Sequence, residues 1–115
     1  MSRRPPSSLA AKATVFAALA DETRLWLVAK LGRGEHYSIS QLAAGTKLTR
    51  QAVTKHLRVL ERVRIVHAKR TGRESLFELD PKPIEELTVY LETVSKQWDM
   101  ALARLKSFVE KDQPL

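Results

Sequence analysis

The first third of the chain contains two runs of apolar residues at the spacing of an α-helix. Ser7 or Ser8 can cap the first run. Its apolar positions are Leu9, Ala13, Phe16 and Ala20. Asp21 can cap the second run, which ends at Gly32 and Gly34. The expected buried side of this second helix is Leu25, Val28, Ala29 and Leu31.

Two shorter helical patterns follow, separated by a tight turn. We expect Ser40 to cap a third helix that holds Leu42 and Ala43 and ends at Gly45. Thr49 can cap a fourth helix. Its apolar positions are Val53, Leu57 and Leu60. Because a turn of about three or four residues around Gly45 joins these two helices, the pattern predicts a helix-turn-helix.

The periodicity changes to that of β-strands beyond Val63. The apolar strand residues are Ile65, Val66 and Ala68, followed by Leu76, Phe77 and Leu79. Between them lies a polar turn over residues 70–74, so we expect a two-stranded hairpin. Asp80 and Pro81 end the hairpin, and a last helix is predicted from Pro83 to about Lys111.

The last helix carries apolar residues at alternating steps of three and four. They are Ile84, Leu87, Leu91, Val94, Trp98, Ala101, Leu105 and Phe108. At 1.5 Å per residue this helix spans about 43 Å, which is longer than a domain of this size is expected to cover. We therefore expect the first and last helices to form a dimer interface. Its predicted residues are Leu9, Phe16, Leu87, Leu91, Val94, Trp98, Leu105 and Phe108.

Packing of the whole stripe within one chain stays open as an alternative. Four further apolar positions widen the face beyond a single seam, namely Val89, Tyr90, Leu102 and Val109. Taken together, the elements predict a mainly α fold of about five helices with a small β-hairpin wing. One domain is expected over residues 8–111, preceded by a flexible leader at 1–7 and followed by a tail at 112–115.

The formal net charge of +7 is concentrated in one part of the chain. Residues 47–73, called here the basic segment, contain nine Lys and Arg residues against the single acid Glu61. The rest of the chain carries eleven basic and twelve acidic residues. Such a segment attracts phosphate backbones, although a solvated basic face without a partner is the simpler alternative.

The fourth helix has the composition needed to enter a DNA major groove. It places apolar residues behind long polar side chains near its N-terminus. The expected base-reading residues are Arg50, Gln51 and Lys55, and the expected phosphate contacts are Thr49, Thr54, His56 and Arg58. Thr49 could instead serve only as a cap, and His56 could be a buried, hydrogen-bonded strut. The hairpin tip adds Lys69, Arg70 and Arg73, with an ordinary solvated turn as the alternative.

Several stretches of this sequence resemble the ArsR/SmtB-type regulators. Residues 19–25 (LADETRL) look like the opening of their second helix. Residues 42–43 (LA) and 49–60 (TRQAVTKHLRVL) resemble their helix-turn-helix, and residues 70–73 (RTGR) with 76–79 (LFEL) are similar to their wing. Over about residues 8–111 the resemblance implies a winged-helix homodimer joined through its terminal helices. It also implies binding to an imperfect inverted repeat in duplex DNA, usually with repression.

The sequence departs from this family at its metal sites. Thiolate sensors carry a CxC motif at the start of the third helix, where this chain has Ser38, Ile39 and Ser40. The chain has no cysteine, and its last helix has no histidine for the other common zinc site. Carboxylates such as Glu85, Glu86 and Asp99 are more typical of a solvated face. We therefore expect no metal and no cofactor.

Two further features bear on regulation and on the wing. These regulators usually have a glycine after the recognition helix, which is the fourth helix here, and in this chain that glycine is replaced near Val63 and Arg64. The last helix, with Trp98, Leu102, Leu105 and Phe108, looks closest to a metal-free branch of these regulators. A small-molecule effector stays open, because a pocket between dimer-forming helices would be lined by the same apolar residues as a core.

Other classes of function fit the sequence less well. An enzyme would need a nucleophile with a base, paired carboxylates or a phosphate-binding loop, and no such motif is visible. A protein-assembly or nonspecific nucleic-acid-binding module remains the alternative to a sequence-specific DNA-binding regulator. No run is long enough to span a membrane and no secretory signal is seen, so the expected location is the cytoplasm.

Overall fold

The computed structural model describes residues 7–111 and contains five α-helices and two β-strands in this part of the chain. The helices are α1 (Ser7–Leu19), α2 (Glu22–Leu31), α3 (Ile39–Ala44), α4 (Arg50–Arg62) and α5 (Lys82–Lys111). The strands are β1 (Val66–Thr71) and β2 (Glu74–Leu79). The predicted mainly helical fold with a hairpin is therefore confirmed. Residues 1–6 of the predicted leader and the predicted tail lie outside the described residues.

Two of the predicted helix caps are confirmed. The Asp21 carboxylate accepts a hydrogen bond from the backbone N–H of Arg24 at 3.0 Å and caps α2. The Thr49 hydroxyl accepts from the backbone N–H of Ala52 at 3.1 Å and caps α4. Each bond satisfies one of the amide groups that a helix start leaves without a partner.

The predicted cap of α3 is wrong by two residues. Ser38, not Ser40, caps this helix: its hydroxyl accepts from the backbone N–H of Gln41, whose side chain accepts from the Ser38 N–H. This reciprocal arrangement is a capping box, and it satisfies two amide groups where a lone serine would satisfy one. Gly45 ends α3 as predicted, and its lack of a side chain leaves room for the Trp26 indole.

The core of the first compact unit, which extends to Ile84, lies among α2, α3, α4 and the hairpin. Its fully buried members are Leu27, Leu31, Leu42, Val53, Leu57, Leu60, Ile65, Val66 and Phe77. The predicted buried side of α2 needs correction, because Leu25 is 54% exposed and Leu27 takes its place in the core. Ala29 is likewise exposed.

Helix α4 ends in a Schellman motif that directs the chain into β1. The N–H of Ile65 donates to the Leu60 carbonyl and the N–H of Arg64 to the Glu61 carbonyl, both at 3.0 Å. Arg64 has a φ of 64°, in the left-handed region that favours glycine. Arg64 thus occupies the place where a glycine commonly ends a helix.

The wing, defined here as residues 66–79, is an antiparallel hairpin with a shorter turn than predicted. The pairing runs from Val66 with Leu79 to Thr71 with Glu74, so only Gly72 and Arg73 remain in the turn. A φ of 65° at Gly72 is typical of the first central position of a type II′ turn. Tyr37 also exchanges backbone hydrogen bonds with Phe77, at 3.2 and 2.7 Å, and so ties β2 to the segment before α3.

Candidate nucleic-acid interface

Helix α4 has an apolar face in the core and a polar face that is open to solvent. The buried residues are Val53, Leu57 and Leu60. The three predicted base-reading residues, Arg50, Gln51 and Lys55, are all exposed. Within residues 7–111 their side chains have no hydrogen-bond or ion-pair partner. They are therefore available to a ligand without the loss of an interaction inside the protein.

The four predicted phosphate contacts are instead engaged with groups of the same chain. Thr49 caps α4, and the Thr54 hydroxyl donates to the Arg50 carbonyl at 2.8 Å. Arg58 donates from Nη1 to Oε1 of Glu61 at 2.9 Å. His56, the fourth, contacts α2. The Thr49 hydroxyl uses only its oxygen in the cap, so it can still donate to a DNA phosphate. At Arg58 a phosphate would compete with the Glu61 carboxylate.

His56 joins the recognition helix to the start of α2. Its Nδ1 lies 3.1 Å from Nη1 of Arg24 and 3.7 Å from Oδ2 of Asp21. Arg24 in turn donates from Nε to the Ala18 carbonyl at 2.5 Å. The hydrogen bond from the Arg24 backbone is the largest cause that lowers the pKa of Asp21, with the charge of His56 acting in the same direction and desolvation opposing both.

The sequence left open a hydrogen-bonded role for His56 but did not identify Arg24 and Asp21 as its partners. Arg24 and His56 are 32 positions apart, and no local pattern connects them. The Asp21 cap was the one usable signal for Arg24. It places Arg24, three residues later, in the first turn of α2, next to any element that packs against that turn.

The wing carries its three basic residues near its tip. Lys69 and Arg70 lie on β1, opposite Leu76 and Ser75, and Arg73 lies in the turn. All three are exposed, and none has an ion-pair partner in the described part of the chain. Arg73 also lines one groove with Arg50, the first residue of α4. The structure thus brings one predicted base reader next to the wing.

All nine basic residues of the basic segment are exposed. They are Lys47, Arg50, Lys55, Arg58, Arg62, Arg64, Lys69, Arg70 and Arg73. Only Arg58 is paired with a carboxylate among residues 7–111. A largely uncompensated surface of this kind produces the field that attracts a polyanion.

The predicted dimer residues differ in their exposure within the single chain. Leu91, Trp98, Leu105 and Phe108 on α5 are between 51% and 65% exposed, and Leu9 on α1 is also exposed. Phe16 and Val94 are half-buried. Leu87 is only 4% exposed, so it offers a second chain little surface.

Metal-ligating side chains do not cluster in the part of the chain that the structure describes. No three His, Asp or Glu residues there lie close enough to hold an ion together. None of the described helices has the length and apolar character required to cross a bilayer.

Comparison with known proteins identifies the family. The family model for the bacterial regulatory protein, arsR family, matches residues 21–68, which include α2, α3, α4 and the start of the wing. The HTH-type transcriptional regulator Rv2034 of Mycobacterium tuberculosis is 30% identical over 95 residues, which cover 83% of this chain and 85% of that protein. A transcriptional repressor SmtB homolog of Synechocystis is 40% identical over 67 residues, covering 58% of this chain and 50% of that protein.

A solved structure extends the similarity over nearly the whole fold. The ArsR-like transcriptional regulator from Rhodococcus sp. RHA1 is 35% identical and superposes with a TM-score of 0.78, covering 89% of this chain and 95% of that one. The helix-turn-helix, the wing and the similarity to these relatives all indicate the same family. The chain belongs to the ArsR family of bacterial regulatory proteins and is a transcriptional regulator with a DNA-binding winged helix-turn-helix.

Proposed function

We propose that the chain is a sequence-specific repressor that binds an inverted-repeat operator as a homodimer. The observation that carries this proposal is the free polar face of α4. Gln51 and Lys55 are exposed, have no partner within residues 7–111 and project from a helix whose opposite side is fixed in the core. A rigid helix with unengaged long donors is what direct reading of base edges requires.

The role of each residue follows from its chemistry. Gln51 can bind an adenine edge through two hydrogen bonds, and Lys55 can donate to a guanine edge. The wing residues Lys69 and Arg70 are exposed cations on a strand and are suited to the DNA backbone. The wing therefore contributes affinity and register, and α4 contributes sequence preference.

The homodimer follows from the exposed apolar face of α5. Over about five turns this helix leaves Leu91, Trp98, Leu105 and Phe108 more than half exposed. A contiguous apolar stripe of this length is unusual on a monomer and marks an interaction site. The sequence repeat of three and four is typical of helix pairing, and a second copy supplies the same stripe in return. Two α4 helices related by a two-fold axis would then read two half-sites about 34–36 Å apart.

Repression is the direction of regulation that one of the relatives favours. The Synechocystis relative is a repressor by name, and the chain spans half of its length. A dimer held on a promoter by two recognition helices and two wings also excludes other proteins from the same DNA.

The test compares two alanine variants on the preferred operator. Gln51→Ala is expected to cost about 1–3 kcal/mol on that operator and to relax the preference at one base in each half-site. Arg70→Ala is expected to weaken binding to every duplex alike and to lower the salt slope by about one. An unchanged base preference in Gln51→Ala would show that α4 does not read DNA in the proposed register.

A further inference from the structure

A small polar groove lies between the helix-turn-helix and the wing. Its walls come from three elements: the start of α3, the first residue of α4 and the tip of the hairpin. Two arginines line it from different sides of the fold, Arg50 on α4 and Arg73 in the wing turn. The groove has a volume of about 240 Å³, which is room enough for a small anion.

The charge of this groove is not balanced by the protein. Glu74 is its single acidic lining residue against the two arginines. Neither Arg50 nor Arg73 forms an ion pair in the part of the chain that the structure describes. Two arginines against one glutamate give the groove a net positive charge, which attracts an anion. The groove therefore gains stability when it holds a negatively charged group.

Apart from the apolar Ile39, the remaining lining residues are three serines. Ser40 is exposed, Ser75 is half-buried, and the buried Ser38 uses its oxygen as the acceptor of the α3 cap and keeps its own proton for donation. Guanidinium and hydroxyl groups together match the oxygens of a phosphate, which accept several hydrogen bonds at once.

We propose that Arg50 and Arg73 bind a single phosphate of the DNA backbone between them, and that this phosphate joins the recognition helix to the wing. This inference rests on the proposed DNA-binding function. It assigns Arg50 to the backbone and not to a base edge, and leaves base reading to Gln51 and Lys55. Because both arginines hold one phosphate, the wing takes its position on DNA only when α4 lies in the DNA major groove.

The test is a double-mutant cycle on the selected operator duplex. Arg50→Ala and Arg73→Ala are each expected to weaken binding about tenfold, and the double variant to be no more than about threefold weaker than either one. Arg70 does not line the groove and serves as the matched control. Its alanine variant should add its full effect to that of Arg50→Ala.

A second measurement identifies the phosphate. In a series of duplexes, each with a neutral methylphosphonate at the same position of both half-sites, one position should weaken the wild-type protein about tenfold and either arginine variant by no more than about threefold. Arg50→Ala should select the same operator sequence as the wild type. Independent losses in the cycle, or a changed base preference in Arg50→Ala, would overturn the shared phosphate.

Two other results separate this inference from the function on which it rests. If inorganic phosphate raises the melting temperature of the wild type but not of the arginine variants, and the DNA cycle shows no coupling, the groove binds a free anion and the proposal is wrong. If Gln51→Ala leaves base preference unchanged while the two arginines remain coupled on any duplex, the proposed sequence reading fails and the phosphate site stands.

Discussion

Nη1 of Arg24 on α2 lies 3.1 Å from Nδ1 of His56 on the recognition helix. A guanidinium only donates hydrogen bonds and keeps its proton, so in the neutral form of His56 this contact requires Nδ1 to be the acceptor. The neutral ring therefore carries its hydrogen on Nε2. The contact fixes both the tautomer of His56 and the distance between the start of α2 and the middle of α4.

We expect this tautomer to be visible by NMR. At pH 8 the ¹⁵N signals of His56 should show an unprotonated Nδ1 and a protonated Nε2 in the wild type. Arg24→Met removes the donor and should shift the Nδ1 signal, whereas Arg33→Met, on an exposed residue outside this cluster, should not. A protonated Nδ1 in the wild type would contradict the hydrogen bond described here.

The cap of α3 gives a direct comparison between two nearby serines. Ser38→Ala removes the hydroxyl of the capping box and should lower the free energy of unfolding by about 1 kcal/mol. Ser40→Ala changes an exposed residue in the first turn of the same helix and should stay within about 0.5 kcal/mol of the wild type. Urea unfolding at one fixed protein concentration measures both. A larger loss of unfolding free energy for Ser40→Ala than for Ser38→Ala would show that Ser40 caps α3, as the sequence pattern predicted.

These two serines also show how far the sequence could lead. Both satisfy the simplest cap rule, and the pattern of Ser38 followed by Gln41 was the signal that separates them. The caps at Asp21 and Thr49 were predictable because each bond spans three residues. Helix periods likewise located all five helices, since periodicity is a local property of the chain.

Contacts between distant residues could not be predicted in the same way. Leu25 and Leu27 are both leucines on α2, and which one enters the core depends on how α2 lies against α3, α4 and the hairpin. The pairing of Arg24 with His56 and the shared groove of Arg50 and Arg73 likewise arise only after folding. For the candidate site, the sequence identified the residue types. The fold decides which of their side chains have no hydrogen-bond or ion-pair partner within residues 7–111.

Arg64 offers a way to stabilise the junction between α4 and the wing. The left-handed backbone costs a residue with a Cβ about 1–2 kcal/mol, and glycine avoids this strain. Glycine also loses more chain entropy on folding, which offsets about 0.5–1 kcal/mol of the gain. Arg64→Gly is therefore expected to raise the free energy of unfolding by about 0.5–1 kcal/mol. The matched control Arg62→Gly, inside the last turn of α4, should lower it by about 1 kcal/mol. Destabilisation by Arg64→Gly would mean that the arginine side chain itself holds the junction.

The exposed stripe of α5 predicts a dimer that depends on its large apolar residues. Truncation of Trp98 together with Leu105 to alanine should raise the dimer dissociation constant by about 30-fold or more, which corresponds to roughly 2 kcal/mol. Gln97→Ala, at an exposed polar position beside the stripe, should leave it unchanged. Sedimentation velocity over a concentration series measures both, with circular dichroism as the check that helices persist. An unaltered dimer in the double variant would place the interface elsewhere.

Selection of bound duplexes from random DNA by the purified wild-type protein shows whether the protein binds DNA in a sequence-specific way. We expect enrichment of an inverted repeat with half-sites about one helical turn apart, bound at least about a thousandfold more tightly than a scrambled duplex at the same salt concentration. Enrichment of no motif, with equally tight and steeply salt-dependent binding to every duplex, would contradict sequence-specific binding and would indicate an architectural or nonspecific nucleic-acid-binding role.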